Sequence, residues 1–410
     1  MTDYRFVENI DSGQFDRFVR ESDQNSLFQN SRWPLIKTNW QGILTGVFDE
    51  ENNLCAAALV LTRSVAAGKT MMYIPRGPVL DYRNDELLSF TIKELKALAK
   101  KHHAMVLRFD PALMYRRYAY KDRNDEHETM NEDIITRLQS LGAQHRGFTT
   151  NIIESTQPRY NAEMDVEPDY FDHLEHKTAK CVRQAEHKGL KIKEGPEYVP
   201  LFSEMMHHTE VRKKVALRNE EYFRNFMSVY GDQAICMITV IDFPEQIAAL
   251  EKGIAENEEK LNGELPKKQK NVLKQDIERD QKELERLRAD YERCGKEEDV
   301  TCGIIAWYNE GLMELLYMGN HPDYMRFYGS YLLYKTCMDR CVELGIKRCS
   351  FGGIEGTLDD GLTLFKSNWL MNVEEYIGEF NIVLSPLVYW AFDKVYPVLL
   401  NAAAKKRGSE

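Results

Sequence analysis

Several chemistries are missing from this 410-residue chain. None of its 8 cysteines stands in a Cys-x-x-Cys pair. Cys55, Cys181, Cys236, Cys294, Cys302, Cys337, Cys341 and Cys349 are scattered, which suits a reducing compartment better than a disulfide framework or a zinc site. No run approaches the ~18 apolar residues of a membrane-spanning helix. The opening MTDYRFVENIDSG has no apolar core of the kind a secretory signal carries, so a cytoplasmic protein is expected. There is no G-x-S-x-G elbow and no H-E-x-x-H. His173-x-x-His176 and His207-His208 lack the company of a metal site. Neither a covalent acyl-enzyme nor a metal centre is expected. Cations are also short: Lys and Arg number 54 against 65 Asp and Glu, a net charge of -11. That balance argues against broad nonspecific nucleic-acid binding but is compatible with a local basic site for a nucleic acid or a pyrophosphate.

What is present suits a globular chain of two or three units. The apolar fraction is 43%, enough for sizeable cores. ILTGVF and LCAAALVLT flank the turn DEENN as a hairpin over residues 43–62, and KTMMYIP is a third strand. Leu87, Leu88, Ile92, Leu95 and Leu98 predict a helix over 84–102, followed by the strand AMVLRFD ending at Asp110. The order returns later. QAICMITVID, VTCGIIAWYN and GLMELLYMG are strands, a helix runs over 331–344, and IKRCSFGG closes the set. Strand–strand–strand–helix–strand, twice, is a structural repeat. The order resembles the core of the GNAT acyltransferase fold.

An insertion at 244–298 interrupts the second copy. Ile247, Leu250, Ile254 and Leu261 keep one heptad register, and Leu273, Ile277, Leu284, Leu287 and Tyr291 another, on either side of Asn262-Gly263-Glu264-Leu265-Pro266. That pattern predicts an antiparallel coiled-coil hairpin with arms about 30 Å long. It is either a rigid spacer or a nucleic-acid-contacting arm with Lys267, Lys268 and Lys270 at its tip. The fold expected is α+β: a first GNAT-like domain at 1–150, a second at 151–243 and 299–410, and a helical arm at 244–298.

A GNAT enzyme that uses acyl-CoA cradles pyrophosphate with a [QR]-x-x-G-x-[GA] turn at a helix N-terminus. Here the second copy reads Arg326-Phe327-Tyr328-Gly329-Ser330-Tyr331, with Tyr331 in place of the small residue. The first copy reads Asp81-Tyr82-Arg83-Asn84-Asp85-Glu86 and does not match. The cofactor turn is spoiled in both, which points to another acyl donor.

The stretches FQNSRWPLIKTNW (28–40), YIPRGPVLDY (73–82), LRFDP (107–111), TQPRYNAEMDV (156–166), HKTAKCVRQAEHKGLKIKEG (176–195), HTEVRKKVALRNEEYF (208–223), FGGIEG (351–356) and LFKSNW (364–369) resemble the FemABX family, most of all its coiled-coil-bearing FemA and MurM branch. The resemblance implies paired GNAT-like domains with a helical arm. It also implies transfer of an aminoacyl group from aminoacyl-tRNA to the stem peptide of a peptidoglycan precursor. The acceptor would be lipid II or a UDP-linked muropeptide, and no cofactor would be needed beyond the tRNA co-substrate.

Carried over residue by residue, the resemblance puts Lys37 and Arg212 on the precursor's phosphates and Phe365 with Lys366 beside the reacting ester. There a lysine can stabilise the developing oxyanion. Asp110 would bind the attacking amine or relay its proton; the other reading is a turn residue before Pro111. Arg76 would line the precursor groove. Lys180 stands where the family carries an arginine, keeping the charge without bidentate geometry. SPLVYWAFDKVYPVLLNAAAKKR reads as a core helix or as a peripheral contact with the cytoplasmic membrane face. The rivals are an acyl-CoA-dependent GNAT-type N-acyltransferase and a non-catalytic coiled-coil protein that binds tRNA or the envelope. The amino acid transferred, the bridge position and the oligomeric state are open at this level.

Overall fold

The computed structural model describes residues 3–65, 68–213 and 217–394. Residues 214–216 of TEVRKKVALR and residues 395–407 of the C-terminal stretch lie outside the described part. The chain divides into two compact units, each discontinuous in sequence. Unit 1 comprises 1–168, 307–314 and 341–410, and unit 2 comprises 169–306 and 315–340.

Unit 1 holds β1 (Arg5–Glu8), β2 (Gln41–Phe48), β3 (Leu54–Ser64), β4 (Thr70–Ile74), β5 (Val79–Leu80), β6 (Ala104–Phe109), β7 (Met114–Ala119), β8 (Gln144–His145) and β9 (Tyr160–Asp165). Its helices include α1 (Ser12–Arg20), α2 (Trp33–Ile36), α3 (Asp85–Lys101) and α4 (Glu132–Ser140). Unit 2 follows with α5 (His176–His187), β10 (Lys191–Glu194), α6 (Val199–Lys213), α7 (Glu220–Tyr230), β11 (Ala234–Asp242), α8 (Phe243–Leu261) and α9 (Lys267–Cys294). β12 (Glu298–Tyr308), β13 (Met313–Asn320) and α10 (Gly329–Leu344) are divided between the units. β14 (Arg348–Ile354), α11 (Gly361–Lys366), β15 (Asn372–Tyr376), β16 (Phe380–Val383) and α12 (Pro386–Lys394) return to unit 1.

The first sheet of unit 1 runs β1-β2-β3-β4-β6-β16-β8. β4 and β6 are parallel, as a helical crossover between them requires, and the remaining neighbours are antiparallel. α3 is that crossover. Asn84 caps it by accepting from Leu87 N at 3.0 Å, Asp85 and Glu86 sit in its first turn, and Lys100 and Lys101 in its last. Its apolar face and that of α4 bury Leu88, Leu95, Ile134 and Leu138 against Val60, Met72 and Leu107. Strand β16, which falls within the 299–410 segment expected in the second domain, lies between β6 and β8 of this sheet. Four further strands of unit 1 are ordered β14-β9-β15-β7. The parallel pair of the second repeat is Met313–Glu314 of β13 beside Cys349–Ser350 of β14.

In unit 2, β10 and β11 are antiparallel. The helices expected between β11 and β12 are α8 and α9. Asp242 caps α8 through Glu245 N at 3.0 Å, and Gly295, at φ 65°, ends α9. At 1.5 Å per residue, their 19 and 28 residues give rods of about 28 and 42 Å. Ile254, Ile277 and Leu284 are the buried seam. At the root, Leu287 packs with Ile241, Phe243 and Phe327, so the arm is continuous with this unit's core.

Candidate active site

Asp110 ends β6 and is 3% exposed. Its Oδ1 accepts from the Tyr73 hydroxyl and from the Arg76 main-chain N–H, both at 3.0 Å. Its Oδ2, buried as well, has no hydrogen-bond partner among the described residues. Burial pushes the carboxyl up to about 7, against the opposing pull of the Arg76 guanidinium, with the Glu379 charge adding to the rise. A carboxyl at that value, with one oxygen open, can take or give a proton near neutrality.

Arg76 occupies a left-handed backbone position at φ 52°, which a side chain rarely adopts. Its neighbours hold it there. Gln29, fully buried, donates to Pro75 O at 2.6 Å and accepts from Leu59 N at 2.8 Å. The guanidinium donates to Pro158 O at 2.7 Å and lies 4.1 Å from the Tyr376 ring centroid.

Lys366 ends α11, which Asp360 caps by accepting from Leu362 N at 2.8 Å. At 5% exposure its ammonium is held inside the protein, donating to Gly353 O at 2.8 Å and Gly352 O at 3.4 Å. Those carbonyls are presented by a bulge in β14, where Gly352 has φ 77°. Gly353 lies so close to Pro158 that a Cβ would come within 2.4 Å of the proline Cγ. One wall of unit 1 therefore joins Lys366, Gly353, Pro158, Arg76 and Asp110. Phe365 is half-buried, and its carbonyl accepts from the Asn368 side chain at 3.0 Å.

Lys37 follows α2 in unit 1, its ammonium 4.6 Å from the Trp33 ring centroid. Arg212 is exposed near the end of α6 in unit 2.

Sequence reasoning missed the charged scaffold around this wall. Arg348 grips Glu163 with two bonds of 2.7 and 2.9 Å. Arg117 stands opposite Glu374 in the β7–β15 register, 3.3 Å away. Arg159 donates to Glu375 at 3.0 Å and Arg108 pairs with Glu379 at 3.2 Å. Burial, and then the Glu163 charge, raise Glu374 above the usual carboxylate range. The available signal was a carboxylate at a core-facing position inside a strand pattern, as in YNAEMD and NVEEY.

A cleft of about 960 Å³ opens on the same unit, lined by Arg116, Tyr118, Tyr120, Tyr160, Leu364 and Glu375. Tyr118 stacks on His127 with centroids 4.0 Å apart. Its aromatic faces and arginines suit a stacked base and its phosphate. In unit 2, Arg326 is engaged by Asp290, and Gly329 packs where a Cβ would lie 2.5 Å from Thr239 Oγ1.

A profile of the FemAB family matches residues 10–396. The chain belongs to the FemAB family. Within that family, aminoacyltransferase FemB of Staphylococcus epidermidis is 27% identical over 403 residues, spanning 93% of this chain and 95% of its own. Aminoacyltransferase FemA of Staphylococcus aureus is 26% identical over 376 residues, 85% and 88% of the two chains. The crystal structure of FemX superposes with a TM-score of 0.77 at 24% identity, covering 95% of this chain and all of that one, and shares the fold. This FemAB chain is thus an α+β protein that shares the fold of FemX and carries a helical hairpin between β11 and β12.

Proposed function

We propose that this FemAB-family chain is an aminoacyltransferase of peptidoglycan interpeptide bridge synthesis. It moves an aminoacyl group from aminoacyl-tRNA to a stem-peptide amine of a muropeptide precursor, lipid II in preference to a UDP-linked one. The observation that carries this reading is Asp110, a buried carboxyl raised to about 7 with one oxygen unpartnered among the described residues. The attacking amine is protonated near neutrality, with a lysine side chain near ~10.4, and must lose a proton to react. Asp110 accepts that proton. The free amine attacks the ester carbonyl, and Lys366 stabilises the oxyanion. Collapse of that intermediate forms the amide and releases the tRNA 3′-oxygen, which takes up a proton. The ester is already activated, so neither an enzyme nucleophile nor a cofactor enters.

Lys37 and Arg212 supply charge-assisted contacts to the precursor's pyrophosphate. The aromatic cleft at Tyr118 and Tyr160 fits the tRNA end, and the arm, with Lys267 and Lys268 exposed at the start of α9, fits its body. Among the described residues no helix is long and apolar enough to cross a membrane. α12 leaves Leu387 86% and Trp390 62% exposed, which suits peripheral contact with a membrane surface carrying lipid II.

The test is to incubate purified protein with a mixture of charged tRNAs and lipid-linked precursor and to weigh the products. A precursor heavier by one or more aminoacyl residues, lost on adding RNase, is expected. Equal turnover with acyl-CoA and no tRNA would overturn the reading.

A further inference from the structure

The proposed reaction brings two amines together: the nucleophile and the donor's own α-amine. The second must be held without attacking. An α-amino group titrates near ~7.7–8.0, so at neutral pH it is largely an ammonium and wants an anionic acceptor.

Unit 1 contains a cavity of about 40 Å³ lined by Arg76, Asn161, Glu163, Glu314, Arg348 and Tyr376. That is room for roughly three water-sized groups, enough for an ammonium and the carbon bearing it. Its place is fixed by the wall already described. Arg76, on one side, bonds Asp110 through its main chain at 3.0 Å. Asn161, on the other, sits in register with Gly353, whose carbonyl accepts from Lys366 at 2.8 Å.

The electrostatics of the lining favour a cation. Glu163 and Arg348 satisfy each other in a bidentate pair of 2.7 and 2.9 Å. The Arg76 guanidinium is committed to Pro158 O and the Tyr376 ring. Counting Asp23 at the mouth, three carboxylates face two guanidinium groups. Glu314 forms no direct ion pair among the described residues; burial raises its carboxyl, and the Arg76 charge is among the groups that oppose that rise. Glu314 is 8% exposed, and both of its hydrogen bonds, from Leu27 N at 2.8 Å and Ser26 Oγ at 3.3 Å, go to Oε1. Oε2 accepts none among the described residues. Asn161, 9% exposed, makes no side-chain hydrogen bond among them either. A carboxylate oxygen and a carboxamide, each on a residue more than nine-tenths buried and lining one small cavity, form a built acceptor set.

We propose that this cavity binds the free α-ammonium of the aminoacyl donor, with Glu314 Oε2 as its anionic acceptor. The assignment rests on the aminoacyl-transfer reading. It makes Glu314 a specificity residue that distinguishes an amino acid from the matching hydroxy acid.

The test compares an aminoacyl-tRNA with the hydroxyacyl-tRNA made from it by deamination, in wild type and in Glu314→Gln. Wild type should prefer the aminoacyl donor in kcat/KM by about 10–100-fold, the span of one charge-assisted hydrogen bond. Glu314→Gln should bring the two donors within about threefold, leaving the KM for the acceptor unchanged. Thermal melts establish that the variant is folded. Should it be unfolded, calorimetric titration of wild type with glycine methyl ester against methyl glycolate decides. Selective binding of the amine supports the site, while equal binding, or none, overturns it. If wild type uses neither tRNA, the aminoacyl-transfer reading itself fails. If wild type transfers from the aminoacyl donor but Glu314→Gln keeps the full preference, or alters only the acceptor KM, the cavity assignment alone falls.

Discussion

Charge is used in opposite ways in the strands β14-β9-β15-β7 of unit 1 and in the α8–α9 arm of unit 2. The strands bury it: Glu163, Glu374 and Glu375 are 2%, 1% and 4% exposed, each with an arginine partner. The arm displays it. Arg288 and Glu251 pair at 2.5 Å with side chains 57% and 47% exposed. Both regions are dense in ion pairs, yet their energetics differ. A surface pair gains little because water already solvates both partners. A buried pair gains little relative to apolar packing, but losing one partner strands the other in a low dielectric. Pairing tunes solubility in the arm. In the strands it fixes the geometry in which Asp110, Arg76 and Lys366 are held.

The sharpest way to break this comparison is Arg348→Ala. It should destabilise unit 1 by up to about 3–5 kcal/mol, because buried Glu163 is left with only Arg117, 4.0 Å away. Urea unfolding measures this, and a loss below about 1 kcal/mol would mean the strand charges behave like those of the arm. Next is Asp110→Asn, which should lower kcat by about 10²–10⁴. The pH dependence has a definite sign. The folded carboxyl, at about 7, binds its proton more tightly than the unfolded one near 3.8, so its contribution to stability is full below about 4 and falls as pH rises through 7. The Asn variant should lack that decline. Wild-type rate should rise with pH about a midpoint near 7, and a flat wild-type profile would remove Asp110 from the proton transfer.

Lys366→Ala comes third. A buried donor to the oxyanion should cost about 10²–10³ in kcat while precursor binding, followed by calorimetry, changes little. Lys37→Ala and Arg212→Ala should do the reverse, weakening precursor binding by about 1.5–3 kcal/mol with kcat preserved. The smallest effect is expected in the arm itself, where Arg288→Ala should shift stability by at most about 1 kcal/mol. A larger shift would show that the arm's exposed pairs act as a network.

Much of the fold was legible because backbone periodicity is local. The β2–β3 hairpin, the α3 crossover and the two heptad helices each announce themselves within a window of twenty residues or so. Asp110, Arg76, Lys366 and Phe365 were reached through a resemblance, not through pattern. Taken alone, Asp110 reads as a turn residue before Pro111. Its raised value comes from burial and then from the charge of Glu379, more than 250 positions away in sequence. Glu314 carried no signal at all, since MELLY reads as an ordinary strand with one polar position.

By itself, then, the sequence determined the elements, their twofold repetition, the helical insertion and the family, because each is written in local spacing or in motifs that keep chain order. Only tertiary structure decided that β16 enters the first sheet between β6 and β8, and that the segment 307–314 brings Glu314 beside Ser26 in unit 1. It also decided which carboxylates are buried against which arginines. Those outcomes turn on desolvation and on contacts between residues hundreds of positions apart, and such contacts leave no period in a sequence.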